Sequence, residues 1–341
     1  MDLPVQGPGL KSHARGDERD ESERYSVRLI DAAARIDKAL AALVPLSRTR
    51  IVRAIESGAV RVNGEPVRRA SDPVAAGSEI VIEVPAKSET SLVPAEIALP
   101  ILWEDADCLV VDKPAGLVVH PAPGHPSDTV VNALLYLRPE IAGVGDERKA
   151  GLVHRLDMDT SGCLLAAKSD GAHEALSRQF AARTVGKTYW AFAWGRLSAD
   201  AGVFDAPIGR ATSDRQRMSS RTRRGRSAIT RWHVRERYAV AEWLELALET
   251  GRTHQIRVHL AEAGHPVLGD TRYGGGPSRA RGFHGPQQAW AREAAALATR
   301  QALHARALEF DRPATGERVR VEAPLPDDLE ALRAALRRHP A

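Results

Sequence analysis

The feature that most constrains this chain is a series of short apolar runs in its second and larger part. Six runs have the length and composition of β-strands, at residues 108–111, 117–119, 163–167, 189–194, 229–234 and 243–248. Helical spacing of apolar residues lies between some of them, at residues 129–137, 171–180 and 254–263. Short strands interspersed with helices predict an α+β fold with a mainly antiparallel sheet and peripheral helices.

Residues 28–85 show a different pattern, which predicts a small separate domain. Apolar residues recur at helical spacing over residues 36–44, and Ser47 is a suitable N-cap for a second helix. The Asn63-Gly64 pair then supplies a tight turn between two short strands, and residues 80–84 form a further strand. We therefore predict two helices followed by a small sheet.

Three arginines lie at the start of the second helix of this small domain: Arg48, Arg50 and Arg53. Helix N-terminal amides and arginines are suited to binding phosphate groups. The αα-β arrangement, from residues 35–38 to the hairpin at residues 60–64, resembles an S4 RNA-binding domain. The resemblance implies that these arginines contact RNA. The alternative is a helix face that is simply solvated.

Composition and proline content predict the remaining boundaries. Few apolar residues and alternating charges indicate a disordered N-terminal tail, and two prolines, Pro94 and Pro100, favour a linker. The end of the chain predicts a terminal helix with acidic residues first and arginines last. The predicted segments other than the small domain are a tail at 1–27, a linker at 86–100, a larger domain at 101–325 and a C-terminal helix and tail at 326–341.

Basic residues are concentrated in one segment. The formal net charge is +4, but residues 210–231 hold eight arginines and one aspartate, which leaves −3 for the rest of the chain (4 − 7). Such clustering is typical of a surface that binds a polyanion, although a solvated loop remains an alternative. Arg221, Arg223 and Arg224 lie at its centre and are the predicted RNA contacts.

Composition also excludes several classes of protein. No apolar run approaches the ~18 residues of a membrane helix, and the N-terminus lacks the apolar stretch of a signal peptide, so we expect a cytoplasmic protein without membrane association. Cys108 and Cys163 are two lone cysteines in apolar stretches, where small buried residues are expected. His254 and His259 are five apart and do not share a helix face as metal ligands would, so we expect no metal site.

The densest polar cluster runs through residues 154–162 and includes Arg155 and Asp157. It lies between an apolar stretch and a predicted strand, which places a carboxylate beside an arginine in a tight loop. Such a carboxylate stays ionised and oriented, as a nucleophile requires. From this segment alone, a structural loop with an Arg–Asp pair is the simpler interpretation.

Two further segments favour a catalytic interpretation. Tyr189 is the first residue of a predicted strand, and Arg257 lies in the segment at residues 251–260. An aromatic ring, a carboxylate and an arginine could together stack on a base, attack the base or its sugar, and keep the carboxylate charged. Either segment alone would be ordinary.

Several long motifs occur in the order found in one family. They lie at residues 104–105, 110–121, 151–157, 160–162, 187–189, 251–260, 264–270 and 301–305. Over about residues 28–325, the sequence resembles the RluA-type family of RNA pseudouridine synthases, in particular its S4-containing members that modify the large ribosomal RNA.

The resemblance implies a role for each matching residue. Asp157 matches the catalytic aspartate, and Tyr189 matches the tyrosine that stacks on the target base. Arg257 matches the basic residue that pairs with the aspartate, Arg155 an arginine linked to opening the RNA, and Ile256 the lining of the base pocket. The reaction is an isomerisation of uridine, so no cofactor is expected.

The expected partner is structured RNA, namely 23S ribosomal RNA or an assembling large ribosomal subunit, bound by a monomer. Two alternatives remain open: a pseudouridine synthase that acts on tRNA, and a non-catalytic RNA-binding assembly factor that keeps the same fold.

Overall fold

The structure, a computed structural model, describes residues 23–46, 48–84, 92–122, 124–145, 149–211, 214, 217–222 and 224–341. The chain divides into two compact units. The larger takes in Glu89–Ala341 together with Pro45–Ile51, and the smaller takes in the residues up to Ser88 that remain.

The N-terminal elements are two helices and four short strands: β1 (Glu23–Arg28), α1 (Ile36–Leu43), α2 (Arg48–Glu56), β2 (Val60–Val62), β3 (Glu65–Pro66) and β4 (Glu79–Val84). The strands form an antiparallel sheet in the order β1-β4-β2-β3. Ile36, Leu40, Ile80 and Ile82 are fully buried and form its core. The predicted order of helix, helix and sheet is confirmed.

The turn between β2 and β3 shows how the sequence determines this sheet. Asn63 has φ 51° and Gly64 has φ 86°, so both residues adopt the left-handed conformation that a two-residue type I′ turn requires. Ser47, the predicted cap of α2, lies outside the described residues. Within α2, Arg48 and Arg53 are exposed and Arg50 is half-buried.

The larger unit holds the remaining elements. Its strands are β5 (Ile101–Glu104), β6 (Cys108–Lys113), β7 (Ser161–Ala167), β8 (Gly186–Trp194), β9 (Ala201–Asp205), β10 (Gly209–Arg210), β11 (Met218–Ser219), β12 (Ile229–Arg237), β13 (Ala241–Leu248), β14 (Leu303–Asp311) and β15 (Arg318–Glu322). Its α-helices are α3 (Val130–Leu137), α4 (Asp170–Ala182), α5 (Gln255–Glu262), α6 (Pro286–Leu297) and α7 (Asp327–Arg337).

Nine of these strands form one sheet. Eight follow the order β5-β6-β7-β14-β8-β13-β12-β9, and β15 pairs with residues 307–311 of β14. All described pairs are antiparallel except β7 with β14. The central strand β7 is buried along its whole length, as are Cys108 and Cys163. The predicted α+β fold with a mainly antiparallel sheet is confirmed.

Several predicted boundaries differ from the structure. The predicted tail includes residues 23–27, but these belong to β1, which pairs with β4. Its side chains alternate between half-buried and exposed because successive residues of a strand point to opposite faces of the sheet. Residues 1–22 lie outside the described residues. In the predicted linker, Leu99 is buried in the core of the larger unit, and Leu92 and Ile97 pack against it. Helix α7 contributes Leu329, Leu332 and Leu336 to the same core.

One predicted strand is wrong. Residues 117–119 form no strand, and Val118 makes only an isolated bridge to Thr129. Gly116, at φ 82°, turns the chain just before, and the carbonyl of Leu117 accepts a hydrogen bond from the Lys113 side chain, where a strand would use it for a ladder.

Candidate active site

Asp157 lies in the loop that precedes β7, and successive backbone carbonyls of this loop accept hydrogen bonds from the surrounding structure. The carbonyl of Asp157 accepts from the Thr160 amide at 3.1 Å. The next carbonyl, of Met158, accepts from Lys113 Nζ at 2.7 Å and from the Gly116 amide at 3.0 Å. Three bonded donors on two successive carbonyls leave the loop little freedom, so the carboxylate of Asp157 is presented in a defined position.

The following residues fix the other end of the loop. The carbonyl of Asp159 accepts from Arg300 Nη1 at 3.0 Å, and the hydroxyl of Thr160 accepts from Gln301 Nε2 at 2.7 Å. At Gly162, which has φ 109°, a Cβ atom would lie 2.2 Å from the carbonyl oxygen of Ala305. Only glycine permits this approach between β7 and β14.

Lys113 is the central support of this loop. Its side chain is fully buried, and Nζ donates to the carbonyls of Pro114 and Leu117 at 2.8 Å as well as to Met158. Burial lowers the pKa of Lys113 to about 7, although Asp159 and Asp157 act in the opposite direction.

Arg257, on α5, is the cation that faces Asp157. Its Nη1 donates to Oδ2 of Asp157 at 2.9 Å. Its Nε and Nη2 donate to the two carboxylate oxygens of Asp270 at 2.6 and 2.9 Å. Burial opposes the charge on this guanidinium, but Asp270 and Asp157 together raise the pKa of Arg257 above its ordinary value. Arg257 is therefore permanently charged and held in one orientation by Asp270.

His254, at the N-terminus of α5, is a second neighbour of Asp157. Its Nε2 lies 3.8 Å from Oδ1 of Asp157, and its Nδ1 hydrogen-bonds with the hydroxyl of Tyr273 at 2.8 Å. Burial lowers the pKa of His254, so its imidazole is neutral at pH 7. Of these two neighbours of Asp157, Arg257 is therefore the one that carries a full positive charge.

A small cavity of about 110 Å³ opens at Asp157. Tyr189 lies on its wall, almost fully buried, and burial, reinforced by the charge of Asp157, raises the pKa of the Tyr189 hydroxyl. The hydroxyl is therefore protonated at pH 7. All five residues predicted for the site line this cavity: Arg155, Asp157, Tyr189, Ile256 and Arg257.

Helix α5 is positioned by the side chain of Gln255 at its first turn. The Gln255 amide donates to the carbonyl of Ile229 at 3.0 Å and to the hydroxyl of Thr230 at 2.9 Å. Its oxygen accepts from the Thr250 hydroxyl and from the Arg252 amide. These bonds join α5 to β12 and to the end of β13, and so place Arg257 opposite Asp157.

The predicted RNA-binding arginines are less well defined. Arg221 and Arg224 are exposed, and Arg223 lies outside the described residues. Next to them, Glu262 of α5 accepts hydrogen bonds from Ser219 Oγ at 2.8 Å and from the Ser220 amide at 3.0 Å. The described part of the basic segment is thus attached to the helix that carries Arg257.

Comparisons with known proteins identify the family of this chain. Residues 107–262 match the RNA pseudouridylate synthase family, and residues 34–80 match the S4 domain. A ribosomal large subunit pseudouridine synthase D of Xanthomonas campestris is 44% identical over 321 residues, which are 93% of this chain and 94% of that protein. The chain belongs to the family of RNA pseudouridine synthases.

Other relatives of this pseudouridine synthase also match it over most of their own length. An uncharacterised RNA pseudouridine synthase of Bacillus subtilis is 43% identical over 89% of this chain and 95% of that protein. Among solved structures, human RNA pseudouridylate synthase domain containing 4 has a TM-score of 0.53 and 28% identity over 70% of this chain and 93% of that chain. The predicted family and S4 domain are confirmed.

Three residues that contact the Asp157 loop or Arg257 were not among the predicted site residues: Lys113, His254 and Asp270. All three lie in motifs that carry the family resemblance, but their contacts depend on distant parts of the chain. Within the described residues, no group of three or more His, Cys, Asp or Glu side chains is arranged to hold a metal ion. In the same part of the chain, no helix is both long and apolar enough to span a bilayer.

Proposed function

We propose that this pseudouridine synthase isomerises specific uridines of 23S ribosomal RNA, with Asp157 as the catalytic carboxylate. One observation carries the proposal: Asp157 is oriented by Arg257 at 2.9 Å in a cavity that Tyr189 also lines. Relatives of the same length that are named ribosomal large subunit pseudouridine synthase D support the choice of RNA.

The chemistry of the isomerisation explains why these groups are needed. The N1–C1′ bond of uridine breaks, the uracil ring turns, C5 bonds to C1′, and the proton on C5 is lost while N1 gains one. Negative charge develops on the detached uracil and positive charge at C1′. A carboxylate at Asp157 captures C1′ or stabilises its charge, and the hydrogen bond from Arg257 holds that carboxylate in position.

The target base must leave its stack before it can react. Base flipping costs a few kcal/mol, and an aromatic face can recover about 1–3 kcal/mol by stacking. Tyr189 supplies such a face, and its protonated hydroxyl can take part in moving the C5 proton. Arg155, exposed at the rim of the cavity, is placed to fill the position that the flipped base leaves in the RNA.

RNA outside the cavity is held by charge. We assign phosphate contacts to Arg48, Arg50 and Arg53 of the S4 domain and to Arg221, Arg223 and Arg224 of the basic segment. We also propose that the synthase acts in the cytoplasm as a monomer. Light scattering of the purified protein, alone and with RNA, tests the monomer.

Release of tritium from RNA labelled at C5 of uridine tests the activity directly. The purified protein is expected to release tritium from 23S transcripts and not from 16S transcripts. Pseudouridine mapping in total RNA of a deletion strain then identifies the sites. Losses in tRNA alone would replace the proposed substrate with tRNA, and the absence of any tritium release or lost site would leave a non-catalytic RNA-binding protein.

A further inference from the structure

A second and larger cavity lies beside the one at Asp157. Its volume is about 520 Å³, which is in the range of cavities that bind organic ligands. It shares a wall with the first cavity, formed by Arg155, Tyr189, Leu248, Gly251 and Arg252. A ligand that occupies both cavities would pass over Tyr189.

The lining of this second cavity is strongly basic. Five cationic side chains contribute to it: Arg155, Arg183, Lys187, Arg226 and Arg252. They come from different parts of the chain, namely the Asp157 loop, the end of α4, β8, the segment before β12 and the loop after β13. The lining contains one carboxylate, that of Glu249, which accepts from Arg231 Nε at 2.7 Å. The negative charge of Glu249 is therefore already paired with an arginine.

Lys187 is the cation for which this arrangement is most costly. Its side chain is partly buried, and within the described residues its ammonium group has no carboxylate partner and no hydrogen-bond acceptor. Burial lowers the pKa of Lys187, and Arg183 and Arg252 lower it further. The pKa of Arg252 is likewise lowered by burial and by the charges of Arg226 and Arg183.

Repulsion among converging cations is unfavourable in the protein alone, and an anion that enters the cavity relieves it. His154 also lines the cavity, but burial lowers its pKa to about 3, so it is neutral and adds no charge. The excess of positive charge fits a phosphodiester, which carries one negative charge per group and accepts hydrogen bonds from lysine and arginine.

We propose that the second cavity binds a phosphodiester group of the RNA strand, next to the nucleotide whose base enters the cavity at Asp157. This inference rests on the proposed function, since it requires RNA as the substrate. Lys187 and Arg183 hold the phosphate, and Tyr189 separates it from the flipped base. The site fixes how far the strand is drawn in, and so selects which nucleotide reaches Asp157.

Replacement of single phosphates by uncharged methylphosphonates tests this site. A 23S fragment is chosen because the protein binds it, and each phosphate is replaced in turn. Binding constants are measured for the wild type and for Lys187→Gln. Loss of one phosphate contact is expected to weaken binding about tenfold at moderate salt and to lower the slope of log K against log salt by about 1.

The decisive quantity is the coupling between protein and RNA changes. At one or two adjacent positions, the methylphosphonate should weaken binding to the wild type and have no further effect on Lys187→Gln. Lys187→Arg keeps the charge and should restore the wild-type pattern. Arg183→Asn, which tolerates the left-handed backbone at φ 63°, should show the same coupled position as Lys187→Gln. Arg292→Gln, which removes an exposed charge from α6 outside both cavities, is the matched control.

Three results would overturn the inference: no coupled position, the same coupling in the Arg292 control, or equal loss in Lys187→Arg. Free phosphate or a mononucleotide shares the chemistry of this ligand, but neither gives coupling that depends on position in the strand. Tritium release by the wild type is recorded in parallel. Its absence would remove the proposed function while the binding data remained readable, so the two failures are distinguishable.

Discussion

The Nη1 atom of Arg257 donates to Oδ2 of Asp157 over 2.9 Å, and this bond is the link between helix α5 and the loop before β7. The other two donors used by Arg257 both go to Asp270. The guanidinium therefore cannot rotate away from Asp157 without breaking a buried bidentate pair. We propose that Asp270 is a positioning residue that acts on the Asp157 carboxylate through Arg257.

Replacement of Asp270 tests this relationship. Asp270→Asn leaves one oxygen acceptor and removes the negative charge, so Arg257 loses its fixed orientation. We expect kcat to fall roughly 10- to 100-fold with little change in RNA affinity. We also expect a loss of about 1–3 kcal/mol in the free energy of unfolding. Asp200→Asn, which changes an exposed partner of Arg237, is the control. An effect on affinity alone would assign Asp270 to RNA binding.

Lys113 predicts a pH dependence of stability. In the unfolded chain a lysine keeps its proton to about pH 10, whereas in the folded protein Lys113 loses it as the pH rises through about 7. Between these values the unfolded state binds more protons, so the Lys113 contribution to the free energy of unfolding increases with pH. The increase is at most about 1.4 kcal/mol per pH unit.

Urea unfolding at pH 7, 8 and 9 checks this dependence. The difference in free energy of unfolding between the wild type and Lys113→Met should grow with pH over this range. A difference that stays constant would show that Lys113 remains charged when buried. Lys149→Met, in a less buried part of the chain, is the control and should leave the pH profile of the wild type unchanged.

Substitutions at Tyr189 distinguish the contribution of base stacking from that of proton transfer. Tyr189→Phe keeps the ring and removes the hydroxyl, so RNA binding should stay within about twofold while turnover falls by 100-fold or more, since acid–base assistance contributes about 10²–10⁴. Tyr189→Leu should weaken binding as well, because the stacking face is lost. Single-turnover rates and binding constants distinguish the two effects. Unchanged rates in Tyr189→Phe would show that the hydroxyl is not needed.

The basic segment predicts a salt dependence. Neutralising Arg221, Arg223 and Arg224 together should reduce the slope of log K against log salt by about 2–3, because each phosphate contact releases counterions. Filter binding at several salt concentrations measures the slope. An unaltered slope would mean that these arginines do not contact RNA.

The sequence predicts the strands whose two faces are both apolar or alternate regularly, such as β6, β7, β8 and β13. Strand β14 was missed although it lies at the centre of the sheet between β7 and β8. Arg306 and Glu309 interrupt its apolar pattern, and the structure shows why they are tolerated. Arg306 lies over the ring of Trp190, 4.6 Å from its centre, and forms an ion pair with Glu322. Glu309 forms an ion pair with Arg320. Such compensation depends on neighbours that are distant in sequence.

The same limit applies to the site. The order of the motifs predicts roles for Asp157, Tyr189 and Arg257 through the resemblance to the family. The pairing of Arg257 with Asp270, and of Lys113 with the carbonyl of Met158, depends on how separate loops meet in the fold. A buried lysine is also unexpected from hydropathy, since its partners are backbone carbonyls that no sequence pattern marks.

Single-turnover pseudouridine formation by Asp157→Asn shows whether the carboxylate of Asp157 carries the reaction. The asparagine has the same size and can still accept from Arg257, so folding and RNA affinity should remain close to those of the wild type. We expect no detectable tritium release from 23S RNA labelled at C5, at an enzyme concentration that binds all of the RNA. Release at the wild-type rate under these conditions would contradict it.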